Sequence, residues 1–215
     1  MNLDIYFNKK RELYEVVLSL IENDTEEDFV ENLQNLKEII EKQQIYEDKE
    51  SFKKFLQVML KIFKNHYRHS QFFSNFKNIL QFLKEEVTQS FSNYEIFILF
   101  KSNKLILLFL SEAGILKLND NKVLSDLLEK RDKSKFPYYH YFYPEIKEFI
   151  DAQLKQKIEH ELFDGHDQLF NEFLENRQKG LNDSYISSLI QEDSVEEFIS
   201  YINRKSISMT SEINM

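Results

Sequence analysis

The 215-residue chain has no cysteine, which excludes a disulfide framework and a thiolate metal site and leaves the redox compartment open. Glycine and proline number only three and two. That is too few for a glycine-rich phosphate cradle, and it hands the turns to Asn, Asp and Ser, which suits helical hairpins better than tight β-turns. Alanine occurs only at Ala113 and Ala152, against abundant Lys, Asn, Ile, Phe and Glu, a bias attributed to genome base composition. A surplus of positive charge is missing as well: the net charge is −9. Phosphate-backbone binding is carried by clustered Lys and Arg, so no nucleic-acid partner is expected. No clean apolar run is long enough for a bilayer. The most apolar stretch, 94–110, is interrupted by Lys101 and Lys104 and falls short of the roughly 18–20 residues a spanning helix needs. It reads as a buried helix pair, with no membrane insertion. The N-terminus, MNLDIYF, puts Asp4 where a signal peptide needs a basic flank, so the cytoplasm is the expected location.

What the chain does contain is helical periodicity over a 42% hydrophobic composition, enough for a sizeable core. Tyr6, Leu13, Val16, Val17, Leu20 and Ile21 mark a first helix from Asp4 to about Glu22. Thr25 is a good cap for a second, whose stripe is Phe29, Val30, Leu33, Leu36, Ile39 and Ile40. A third, from Ser51 to about Tyr67, buries Phe52, Phe55, Leu56, Met59, Leu60 and Phe63. A fourth starts at Ser70 and runs unbroken through Phe72, Phe73, Phe76, Ile79, Leu80, Leu83 and Val87. From Tyr94 two shorter helices follow, the second closed by Gly114 as the residue after the cap, with 115–119 as a loop; 94–119 has the outline of an ankyrin-like unit. A helix from Asn121 to about Arg131 precedes an extended aromatic connector, 136–143. Pro144 opens a helix to Phe149 and Ile150, 151–163 continues or restarts it, 164–167 is a turn, and a short helix runs to Asn176.

Candidate chemistry is sparse. His66 and His69 share a helix face but lack further donors for zinc. Asp164, His166 and Asp167 lack the ligand spacing of a calcium loop. No nucleophile elbow, phosphate loop or dinucleotide fingerprint occurs, so no catalytic, cofactor or metal residue is assigned. Leu124, Leu127 and Leu128 form an L-x-x-L-L pattern that is also the core face of an ordinary helix. The connector is the main candidate. Its rings cannot all be buried on one short segment, so Tyr138, Tyr139, Tyr141 and Tyr143 are candidate partner contacts, with Phe136 and Phe142 inside.

The remaining stretch, 182–208, reads as two short antiparallel helices split at Asp193-Ser194. Tyr185, Ile186, Leu189 and Ile190 line the first. Ser194 with Glu197 is a capping box for the second, striped by Val195, Phe198, Ile199 and Ile202. Together with YFYPEIKEFI and FLENRQKGLNDSY upstream, this hairpin resembles the leader region (DUF3447) that stands ahead of the regular repeats in divergent ankyrin-repeat proteins of parasitic protists. The likeness is most specific over about residues 137–208, and the T-P-L-H signature of regular ankyrin repeats is absent. The expectation is an all-α chain without a sheet, an elongated ankyrin-like array of antiparallel helical hairpins. A helical leader domain spans 1–180, a first ankyrin-like hairpin 181–208 and a disordered tail 209–215, and the hairpin exchanges its amides faster than the Phe-rich helices. The resemblance implies a non-enzymatic module that binds a protein partner; the rival expectation is a capping module for downstream repeats with no partner of its own.

Overall fold

Apolar stripes repeating at helical spacing become twelve helices in the computed structural model, which describes residues 3–22, 26–66, 70–129, 138–163 and 167–178 and shows no strand among them. The hairpin 182–208, the tail 209–215, Thr25, His69, Phe136, Asp164 and His166 lie outside the described residues. The helices fall into two compact units, Met1–Asp120 and Asn121–Met215. The division falls within 1–180, the stretch that the family resemblance implies to be one leader domain.

In the first unit, α1 (Leu3–Glu22), α2 (Glu26–Lys42), α3 (Lys49–His66) and α4 (Ser70–Phe82) pack on one another. The whole α3 stripe, from Phe52 to Phe63, is buried, as are Phe76, Ile79 and Leu80 of α4. Phe63 stacks on Phe76 with ring centroids 4.5 Å apart. One stripe residue departs from expectation: Val30 is 61% exposed, because Phe29, Leu36 and Ile40 already define the inward line of α2 and position 30 lies about 100° around the helix from 29. Asn75, buried on α4, donates its Nδ2 to the Ile21 carbonyl at 3.3 Å and so takes up a carbonyl near the end of α1. α3 begins at Lys49 rather than at Ser51 because Asp48 caps it, accepting from the Ser51 amide at 3.0 Å and the Ser51 hydroxyl at 2.6 Å.

The fourth sequence helix is two. α4 ends at Phe82 and α5 (Lys84–Ser90) follows across Leu83, whose φ of −84° and ψ of 4° tilt the chain. Helical bonds persist on both sides, Leu83 donating to Ile79 at 3.0 Å and Val87 to Leu83 at 2.9 Å. No glycine or proline causes the tilt. The new segment is held from outside, by the Lys84 ammonium donating to the Ala113 carbonyl at 2.6 Å.

α6 (Asn93–Phe100) and α7 (Lys104–Glu112) form the expected buried pair. Ser92 and Glu95 make a reciprocal capping box at the start of α6. After α7, Gly114 adopts φ 68°. Its amide donates to Ser111 at 3.1 Å and that of Ile115 to Leu110 at 2.8 Å, the two bonds of a Schellman ending, with Leu110 and Ile115 buried together beside it. The loop that follows is pinned by Asn93, which donates to the Lys117 carbonyl at 2.8 Å and accepts from its amide at 2.7 Å.

The second unit contains α8 (Asn121–Leu128), α9 (Tyr138–Tyr141), α10 (Tyr143–Ile146), α11 (Ala152–Phe163) and α12 (Asp167–Gln178). Two sequence expectations change here. Residues 138–143 are not extended; they coil into helical turns. The helix opened by Pro144 stops at Ile146, and Phe149 is 52% exposed in the turn beyond it. α11 is a fresh start, capped by Asp151, whose carboxylate accepts from the Leu154 amide at 2.8 Å. Leu127 of the L-x-x-L-L pattern is buried and Leu124 and Leu128 are half-buried, the ordinary core face.

Candidate functional site

The tyrosine-rich segment is the place where sequence concentrates its largest amphipathic side chains, and coiling it into helix is what sorts them. In an extended strand, alternate rings would face opposite sides. In helical turns, Tyr138, Tyr141 and Phe142 fall on one side, and Phe142 is fully buried. Tyr138 stacks on Phe142 at 6.2 Å and Tyr141 meets it edge-on at 4.9 Å.

Tyr143 packs with Ile158 as the centre of a cluster that takes in Tyr139, Ile150, Leu154, Leu162, Phe170 and Phe173. Its hydroxyl donates to the Glu159 carboxylate. Burial first, and then that carboxylate, hold the phenol well above its ordinary range, so it remains a donor. His140 is bonded through Nε2 to Glu161 Oε2 at 2.9 Å, and this contact, ahead of the charge of Lys157, holds the Glu161 carboxyl below its usual value.

Among the described residues of the unit, Arg177, near the end of α12, is a buried charged group. Its Nη1 and Nη2 donate to Glu145 at 2.5 and 2.8 Å, and Nη1 also donates to the Tyr141 carbonyl at 3.0 Å. The Tyr141 hydroxyl returns a bond to the Arg177 carbonyl at 3.1 Å. The guanidinium carbon stands 5.8 Å from the ring centres of both Tyr141 and Phe173, within cation–π range. Arg177 Nε is buried with no hydrogen-bond partner among the described residues.

Of the four tyrosines read from sequence as candidate contacts, Tyr141 and Tyr143 are buried with their hydroxyls taken up internally, and Tyr138 and Tyr139 are half-buried. Of these four tyrosines, Tyr138 and Tyr139 keep surface that the connector can offer a partner, and Phe149 is exposed beyond it. Glu145, Glu159 and Glu161 are each hydrogen-bonded to Arg177, Tyr143 and His140 respectively, contacts that join α9 and α10 to α11 and α12. No group of three or more His, Asp or Glu side chains among the described residues is placed to hold a metal. No helix among them is long and apolar enough to cross a membrane.

Glu145 and Arg177 carried no motif, being 32 residues apart. A signal for Arg177 did exist: it occupies the i+7 place of the stripe Phe170, Phe173, Leu174, where a charged residue implies a buried partner. No protein-family model, curated protein or solved structure matches the chain.

Proposed function

We propose that this chain is a non-enzymatic protein-interaction module working in the cytoplasm, built as an array of antiparallel helical hairpins and forming the N-terminal part of an ankyrin-repeat-type protein. The observation that carries the reading is the recurrence of short helix pairs with brief connections: α6 and α7 joined by 101–103, α11 and α12 by 164–166. Such pairs cover one face with the next unit and leave the other to a partner. Large exposed apolar side chains, Val58 and Ile98 at 40% on helices and Phe149 at 52% in the turn after α10, supply contact area. The hairpin read from sequence over 182–208 extends the same pattern.

The rival reading is a cap that seals a repeat array and has no partner of its own. Affinity capture with the full chain, followed by binding assays on each captured protein, separates the two. A module retains a saturable partner after Phe198→Ala and Ile202→Ala in the final hairpin. A cap binds only repeat-bearing segments and loses them with those changes.

A further inference from the structure

The first unit carries an open cleft of about 260 Å³ between α3 and the end of α6, lined by Gln57, Leu60, Lys61, Lys64, Leu99 and Ser102. Small-molecule pockets of drug size run to roughly 300–1,000 Å³, so this one fits a side chain or two of a larger partner. Its floor is apolar, with Leu60 buried and Leu99 half-buried. Its rim is cationic. Lys61 and Lys64 are exposed and enter no ion pair among the described residues.

Within a chain of net charge −9 this face is an exception. α3 carries Lys49, Lys53, Lys54, Lys61 and Lys64 against the single acid Glu50, and Glu50 lies at the far end, 4.0 Å from Lys53. The acid of α6, Glu95, is committed to Lys49 and to its own capping box. Attraction to the helix dipole stabilises cations within the last turn; that accounts for Lys64, in the last turn of α3, but not for Lys61, which precedes it. The free charges therefore face solvent beside an apolar recess, and Val58 and Ile98, next in sequence to lining residues, are each 40% exposed.

We infer that this cleft is the docking site for an acidic, leucine-bearing segment of a partner protein. The apolar side chain enters between Leu60 and Leu99, and carboxylates on either side of it meet Lys61 and Lys64. Charge complementarity selects the occupant: the two ammonium groups, in no ion pair among the described residues, repel a basic segment and leave a neutral one without a polar anchor. The inference deepens the interaction-module reading and rests on it.

The test uses the full chain, isotope-labelled for amide NMR and titrated with the acetylated peptide Glu-Glu-Leu-Glu-Glu. Saturable shifts are expected at 57–64 and 99–102. They should weaken by about tenfold or more in K61E/K64E, as the loss of two contacts and added repulsion imply, and remain in the control Lys37→Glu on α2. Circular dichroism and the thermal midpoint report whether each variant is folded, and K61Q/K64Q serves if the double charge reversal is not. Equal shifts with Gln-Gln-Leu-Gln-Gln, or with a single-stranded oligonucleotide, would overturn the proposal in favour of non-selective apolar or anion binding. Captured partners that bind K61E/K64E as well as the original chain would also overturn it, while leaving the interaction-module reading intact. Peptide binding at the cleft with no protein partner captured would uphold the cleft and remove the module reading.

Discussion

Arg177 and Glu145 face each other fork to fork, two hydrogen bonds of 2.5 and 2.8 Å joining the end of α12 to α10, with the Arg177 side chain 5% exposed and that of Glu145 22%. Removing one partner leaves the other charge in a poorly hydrated place. Arg177→Met or Glu145→Leu is expected to destabilise by on the order of 3 kcal/mol, the lower part of the range for broken buried pairs because Glu145 keeps some solvent. The double replacement Arg177→Met with Glu145→Leu should recover part of that loss, since neither charge is then stranded. Denaturant unfolding of all four proteins closes the cycle; single losses under about 1 kcal/mol would mean that the pair is solvated in solution.

Phe142 is fully buried under Tyr138 and Tyr141, and Phe149, a few residues on, is 52% exposed. Phe142→Ala is expected to cost about 3–5 kcal/mol through lost transfer energy and a residual cavity. Phe149→Ala should stay within about 0.5 kcal/mol. Chemical unfolding monitored by far-UV circular dichroism distinguishes them, and similar losses at the two sites would contradict the helical coiling of this segment.

Glu95 ties acid pH to the stability of the first unit. The hydrogen bond from Lys49, followed by those from the Ser92 backbone and side chain, pushes its carboxyl down to about 2, below the roughly 4.3 of an unfolded glutamate. A depressed folded value means that the unfolded state binds the proton more readily. The stabilisation is therefore complete above about pH 4.5 and is lost as pH falls toward 2. The pair is exposed, so the effect should be about 1 kcal/mol or less. Glu95→Gln is expected to lower the thermal midpoint at pH 7 and to bring variant and parent together near pH 2. A difference that grows on acidification would be inconsistent with this carboxylate being the responsible group.

Gly114 stands at φ 68°, and a Cβ added there would meet only Lys84 Nζ, at an ordinary 3.7 Å. The cost of Gly114→Ala is then a backbone cost, about 1–2 kcal/mol for a left-handed residue with a side chain. Gly114→Asn should lose less, because Asn tolerates that region. Urea unfolding gives the order Gly, Asn, Ala; an alanine variant as stable as the parent would show that the Schellman ending relaxes without strain.

Local pattern settled much of this protein. The spacing of Phe52, Phe55, Leu56, Met59 and Phe63 suffices to define α3 and its inward face, since residues three and four apart share a side of a helix whatever surrounds it. Gly114 and Pro144 likewise mark a helix end and a helix start from their own backbone preferences. The absence of cysteine, the scarcity of glycine and the broken apolar run around Lys101 and Lys104 bound the chemistry by composition alone.

Other features depended on which helices dock. Leu83 has good helical neighbours on both sides, and the chain tilts there as Lys84 engages the distant Ala113 carbonyl. Residues 138–143 are rich in aromatics that favour strands by propensity, but coiling lets Phe142 and Tyr143 both reach the core while Arg177 and Glu159 satisfy the tyrosine polar groups. The pairing of Glu145 with Arg177 spans 32 residues, beyond the reach of any periodic signal. It was decided by tertiary structure alone, because the free energy of a buried charge depends on what lies a few ångströms away in space, and the one-dimensional order of residues does not carry that distance.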